Sequence, residues 1–273
     1  MNHKLDVKYL EHSKNIAIMP QVSIITPCYN SADFIAETIE AIQAQTFTDW
    51  ELLITDDCSK DNTVSIAEEY AKNDSRIKIF VLEQNGGGGV ARNNSIKQAQ
   101  GRYIAFCDSD DRWYPNKLEK QIEFMRKRDC ALSYSSYMTC DESGEMNGII
   151  VAPKTITFES LLKDCKIGCL TAIYDSEKVG KVYLPLIRKR QDWGLWIKVL
   201  KICRKAEGLK EPLAIYRLRE GSISNNKLDL IKYNIGVYQE VLGWSKVRAT
   251  IFFLFTFLPN YIAKKVIVSQ YNK

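Results

Sequence analysis

Hydrophobic positions in the first half of this chain fall into short apolar runs separated by stretches with one-sided helical spacing. Residues 22–26, Val-Ser-Ile-Ile-Thr, predict a buried strand that breaks at Pro27. Apolar side chains at Phe34, Ile35, Thr38, Ile39 and Ile42 then predict a helix over 32–46, with Ser31 or Asn30 as its N-cap. Residues 50–55 predict a second strand that ends in Asp56-Asp57-Cys58-Ser59, and Asp61-Asn-Thr supplies capping chemistry for a helix reaching about Lys72. A third strand over 77–82, a flexible loop over 85–89 and a helix over 90–100 follow. The next run, Tyr103-Ile-Ala-Phe-Cys, predicts a buried strand that leads straight into Asp108-Ser-Asp110-Asp111.

Strands alternating with helices predict an α/β fold with a parallel, doubly wound sheet, in which ligands sit at the carboxyl ends of the strands. Those ends carry Pro27-Cys-Tyr29-Asn30, Asp56-Asp57 and the Asp108–Asp111 cluster, so an aromatic side chain and two acidic groups converge on one edge. The second half is less regular. It predicts strands over 131–137, 170–174 and 212–219, a helix over 158–164, and a helix opened by Arg190-Gln191-Asp192-Trp193. No Pro- or Gly-rich linker precedes about Asn225. The expected division is therefore a leader over 1–20, one domain over 21–225, and a basic, apolar C-terminal helical extension over 226–273.

Composition is that of an ordinary globular protein, with 45% hydrophobic and 26% charged residues and no internal repeat. The eight cysteines are scattered without a Cys-x-x-Cys pair, which reads as reduced core residues of a cytoplasmic protein. No signal peptide is visible over 1–20. The net charge of +5 resides in the tail, where Lys232, Lys246, Arg248, Lys264, Lys265 and Lys273 face a single acid, Glu240. A basic tail on a neutral body argues for an acidic surface as partner, membrane or polyanion, and against nucleic-acid binding by the body.

Both histidines, His3 and His12, lie in the leader, so histidine-based catalysis and zinc sites are not expected in the body and proton transfer falls to carboxylates. Asp108, Asp110 and Asp111 repel one another at a buried strand's end and need a cation; a divalent ion sharing phosphate oxygens suits them. The plain alternative is a solvated acidic turn before the helix near Pro115. Gly86–Gly89 lacks the Lys-Ser/Thr of a P-loop and reads as a hinge or a place of close backbone approach. Arg92 is either an anion or base partner at the same edge or a solvated helix residue. Asp192 fits a helix N-cap as well as a functional carboxylate.

Together, Val22-Ser-Ile-Ile-Thr-Pro-Cys-Tyr-Asn, Leu53-Ile-Thr-Asp-Asp-Cys-Ser-Lys-Asp-Asn-Thr, Gly89-Val-Ala-Arg-Asn and Tyr103-Ile-Ala-Phe-Cys-Asp-Ser-Asp-Asp resemble glycosyltransferase family 2. Gln191-Asp192-Trp193 and Tyr216-Arg-Leu-Arg-Glu-Gly-Ser-Ile-Ser extend the resemblance over about residues 20–225. It implies a GT-A fold and an inverting transfer of sugar from a nucleotide donor, UDP-linked by expectation, to a saccharide or lipid-linked acceptor of a surface polysaccharide. It further implies nucleotide binding by Pro27, Tyr29, Asn30, Asp56, Asp57, Arg92, Asp108 and Ser109, with Tyr29 stacking on the base and Asp57 (or Asp56) and Arg92 reading its edge. Asp108-Ser-Asp110 corresponds to a DXD motif, with Asp110 and Asp108 at a Mn²⁺ or Mg²⁺ ion. Arg217, Arg219 and Ser222 would clamp the diphosphate, and Asp192 would be the general base. Gln191 stands where the family commonly has Glu, and Cys58 where it commonly has Gly. The competing enzyme class is a sugar-phosphate nucleotidyltransferase, which is expected to carry a Gly-rich loop after its first strand; a non-catalytic nucleotide-sugar binder is the other alternative.

The run over 251–262 has 12 mostly apolar residues with basic flanks, too few for the about 20 that span a bilayer. It either lies in the headgroup region of an anionic leaflet or folds onto the body or a second copy. The resemblance to enzymes that extend lipid-linked saccharides implies the first, a peripheral protein on the inner face of the cell membrane.

Overall fold

Alternation along the first strand sets out the architecture. The computed structural model describes residues 19–219 and 227–261, apart from the side chains of 227–230. In it β1 (Val22–Cys28) pairs in parallel with β2 (Trp50–Asp56) on one side and with β4 (Tyr103–Phe106) on the other, and β2 pairs in parallel with β3 (Ile77–Val81). The sheet continues through β5 (Arg112–Trp113), β6 (Leu132–Cys140), β9 (Ile173–Asp175) and β10 (Lys205–Arg217), with β7 (Met146–Ile150) and β8 (Thr155–Thr157) attached at the side. The order is β3-β2-β1-β4-β9-β6-β10-β5. Antiparallel β9 lies between β4 and β6, so β6 and β10 run in the direction of the first four strands and the sheet is mostly parallel, as expected.

Successive side chains enter two different cores. Val22, Ile24, Leu52, Ile54 and Ala105 face α1 (Ile35–Gln43), α2 (Thr63–Asn73) and α4 (Lys117–Arg128). Ile25, Leu53, Ile104 and Phe106 face the opposite core, which α3 (Gly88–Gln98) and α7 (Gln191–Cys203) cover. There Phe106 meets Trp196 edge-on at 5.4 Å. Each such fully buried aliphatic or Phe side chain contributes about 1.5–3 kcal/mol.

Several boundaries depart from expectation for local reasons. The first strand passes through Pro27 to Cys28, because β4 ends at Phe106 and no partner there needs the amide that proline lacks. The first helix begins at Ile35: the Ser31 hydroxyl bonds Ser109 Oγ at 2.8 Å and caps nothing, while the Ser31 carbonyl accepts from the amides of Phe34 and Ile35. Residues 169–171 form a 3₁₀ turn ahead of β9 instead of a strand, and the helix expected over 158–164 is the short α5 (Phe158–Leu161), followed after β9 by α6 (Ser176–Val179). The last long strand starts at Lys205 and passes an irregularity around Pro212, where its ladder with β6 shifts register.

The C-terminal segment forms α8 (Lys227–Leu242) and α9 (Lys246–Phe252), the latter begun by a hydrogen bond from the Arg248 amide to Ser245 Oγ. From Phe253 to Phe257 the helix is wound as a π-helix. Its inner side, Ala249, Phe253 and Phe257, is buried, with Phe257 5.5 Å from Trp193 of α7. Val247, Ile251, Leu254 and Phe255 point outward, Phe255 with 77% of its surface exposed. The apolar run thus folds onto the body by one face and leaves the other in solvent. Among the described residues no helix is long and apolar enough to cross a membrane.

Candidate active site

The acidic loop between β4 and β5 is a tight turn closed by the Asp111 amide donating to the Asp108 carbonyl at 3.0 Å. Asp111 is buried. Its backbone carbonyl accepts from Thr38 Oγ1 at 2.8 Å and its carboxylate from the Arg217 amide at 3.2 Å. Burial and the neighbouring carboxylates of Asp110 and Asp108 raise its pKa well above the usual range. The Asp110 carboxyl is also raised, first by burial and then by Asp108, against the pull of Arg219. Arg92 Nη2 donates to Asp108 Oδ1 at 2.6 Å, and Arg219 Nη1 pairs with Asp110 Oδ2 at 3.2 Å.

The two arginines at the end of β10 hold different posts. Arg217 is 4% exposed, and its donors go to the Asp110 carbonyl (3.1 Å), the Glu142 carbonyl (2.7 Å) and the Glu37 carboxylate (2.6 Å). Buried and engaged in three directions, this guanidinium clamps the acidic loop, and the half-buried Arg219 is the one that pairs with the Asp110 carboxylate. Arg217→Met, which strips a buried cation from Glu37 and the loop, is expected to cost about 3–5 kcal/mol, whereas Arg219→Ala should stay within about 0.5 kcal/mol. Urea unfolding of the two variants checks this, and equal losses would contradict it. Ser222 lies outside the described residues.

At the ends of β1 and β2 the expected nucleotide groups are also divided. Tyr29 is 48% exposed, a free ring at the edge. Asn30 adopts a positive φ of 48° and accepts the Lys60 amide at 2.8 Å, fixing the loop after β2. Asp56 and Asp57 are buried, and a buried carboxylate must be hydrogen-bonded. Asp56 accepts from the Ser59 amide at 2.9 Å and from its hydroxyl. Asp57 accepts from the Gly86 and Gly87 amides at 2.7 and 2.8 Å. Both carboxylates are thus anchored by the neighbouring loops, and the pair shapes those loops beside the Tyr29 ring. Ser109 likewise spends its hydroxyl on Ser31. Cys58 has φ of 69°, the backbone state that explains why glycine is usual there.

The glycine run is a place of close approach. A Cβ on Gly89 would lie 2.7 Å from the Gln191 amide, so the first turns of α3 and α7 meet there. Next to Gln191, Asp192 looks into a cleft of about 920 Å³ shared with Arg92, Asp108, Tyr137 and Tyr216. Burial raises the Asp192 carboxyl above the ordinary aspartate range, with Arg92 and Arg190 opposing. The cleft therefore joins the acidic loop, an arginine paired to it, and a carboxylate tuned toward accepting a proton. Sequence reasoning missed the basic wall of this cleft, Lys166, Arg188, Lys189 and Arg190. Three consecutive cations directly before Gln191-Asp192 were its visible signal.

An open α/β sheet with an acidic loop and an aromatic side chain at its switch-point edge is the framework of a nucleotide-dependent transferase. The sequence pattern of "Glycosyl transferase family 2" matches residues 23–169. The chain is 43% identical over 248 residues to TuaG of Bacillus subtilis (strain 168), a protein assigned as a teichuronic acid biosynthesis glycosyltransferase, covering 90% of this chain and 98% of that one. It is 40% identical over 222 residues to WfgD of Escherichia coli, named UDP-Glc:alpha-D-GlcNAc-diphosphoundecaprenol beta-1,3-glucosyltransferase, covering 77% and 82%. Residues 1–349 of S. aureus TarS, solved in complex with UDP-GlcNAc, share the fold with a TM-score of 0.67 at 22% identity, over 86% of this chain and 73% of that one. The chain belongs to glycosyl transferase family 2, has the GT-A fold and is a glycosyltransferase.

Proposed function

We propose that this enzyme transfers one sugar, with inversion, from a UDP-sugar to a lipid-linked saccharide in the assembly of a surface polysaccharide. The observation that carries the reading is the shared cleft of Asp192, Arg92 and Asp108, with Asp192 raised by burial. The activity for which WfgD is named supports the UDP donor and the diphosphate-linked acceptor. Asp192 takes the proton of an acceptor hydroxyl as that oxygen bonds the anomeric carbon; the bond to the nucleoside diphosphate breaks on the opposite side, and its electrons leave with the diphosphate. Tyr29 stacks on the base, Arg92 orients Asp108, and Arg219 faces the diphosphate.

Asp108 and Asp110 suit Mn²⁺ or Mg²⁺: both offer hard oxygens, and the repulsion that raises Asp110 is what a divalent ion would relieve. Among the described residues no three-ligand cage exists, so the remaining ligands would come from the diphosphate. The ion would neutralise charge growing on the leaving group. Asp110→Ala should abolish Mn²⁺-dependent nucleotide binding with the fold retained; calorimetric titration of UDP with and without Mn²⁺ measures it, and unchanged binding removes Asp110 from the ion. A screen of nucleotide sugars, reading nucleoside diphosphate release with and without Mn²⁺, tests the reading as a whole. Peripheral docking on the inner membrane face through the outward side of α9, flanked by Lys246 and Arg248, completes the proposal.

A further inference from the structure

The cleft has a feature that sugar transfer alone does not require. One wall is basic, with Lys166, Arg188 and Arg190, and among the described residues none of the three is ion-paired to a carboxylate. Arg190 occupies a positive φ of 66° immediately before α7, and its Nε is buried without a hydrogen-bond partner among the described residues. An arginine in that backbone state is strained, and the surrounding structure must over-determine it. Part of the lining is apolar and open to solvent: Ile150 and Val151, at and just beyond the end of β7, line the cleft with 48% and 61% of their surfaces exposed. Acid floor, basic wall and apolar lip in one cleft describe an amphiphilic ligand with an anionic group between a sugar and a hydrocarbon chain.

We propose that Lys166, Arg188 and Arg190 form the subsite for the diphosphate of the lipid-linked acceptor, with the Ile150–Val151 lip receiving the start of its hydrocarbon chain. The inference rests on the acceptor class proposed above. Arg190 and Asp192 are two positions apart at the mouth of α7, so a sugar whose hydroxyl reaches Asp192 presents its own anomeric diphosphate to the wall. The donor's diphosphate is assigned above to Arg219, which pairs with Asp110 and is not among the residues lining this cleft. Guanidinium groups suit a diphosphate by bidentate hydrogen bonding.

Farnesyl diphosphate, which carries no nucleoside and no sugar, is the probe. Its binding to the full-length chain should weaken at least tenfold in Lys166→Gln/Arg188→Gln, two exposed positions whose change leaves folding intact, and again in Arg190→Gln. UDP affinity in the presence of Mn²⁺ should stay within twofold in all three proteins. Absence of farnesyl diphosphate binding in the wild type, unchanged binding in the variants, or a parallel loss of UDP affinity overturns the assignment, the last by giving the wall to the donor. If the variants lose farnesyl diphosphate and no sugar is transferred by the wild type to any lipid-linked acceptor, the subsite stands and the transfer reading falls.

Discussion

Asp192→Asn should lower sugar transfer by at least about 100-fold, because the amide keeps the shape of the carboxylate but cannot accept a proton. Affinity for the nucleotide donor should barely change, since in the proposed mechanism this carboxylate acts on the acceptor hydroxyl and not on the donor. The pH profile carries a separate signature. Burial raises the Asp192 carboxyl, so the folded enzyme's base becomes protonated at a higher pH than a free aspartate near about 3.9 would. In the wild type kcat/KM should therefore fall as pH drops through that raised value, and the residual activity of the Asn variant should lack this acid limb. A variant with near-normal transfer but a lowered Tm would reduce Asp192 to a residue that stabilises the start of α7.

Removing residues 246–273 should unfold or strongly destabilise the protein, which reverses what the basic, apolar character of the tail alone suggests. Phe253 and Phe257 are buried in the core that also holds Trp193 and Tyr238. Phe257→Ala alone is expected to cost about 3–5 kcal/mol, the range for an aromatic removed from a packed core. Phe255→Asp, on the exposed side, should leave urea stability within about 0.5 kcal/mol and instead weaken sedimentation with anionic liposomes at low salt. A stable truncated protein would mean that the aromatic contacts of the C-terminal segment are dispensable. Equal liposome binding by wild type and Phe255→Asp would detach this face from the membrane.

The first hundred or so residues were readable because strand and helix periods there are clean. Alternating faces, as at Ile24 and Ile25, reveal a strand covered on both sides, and Gly89 announced a close approach that proved to be with Gln191. What stayed hidden was partnership at a distance. Asp57 shows in sequence as an acid at a strand's end; that its oxygens are taken by amides about thirty positions later depends on the loop's path. Arg217 and Arg219 look equivalent in sequence until Glu37, 180 positions from Arg217, claims one of them. β7 escaped notice because all of its residues are exposed and no alternation marks them. Over residues 251–257 both faces are largely apolar, so periodicity could not tell the side in the core from the side in solvent.

The π-wound stretch that continues α9 sets the phase of the helix beyond it. An α-helix turns about 100° per residue, and the looser winding over Phe253–Phe257 absorbs part of that rotation. Phe253, Phe257 and Tyr261 consequently form a continuous stack, with ring separations of 5.4 and 6.4 Å. Deleting a single residue within the stretch would turn Tyr261 and its flanking turn by about 100°, out of the stack. The segment works like the pitch of a screw: changing a side chain alters one contact, whereas changing the residue count re-aims every contact downstream.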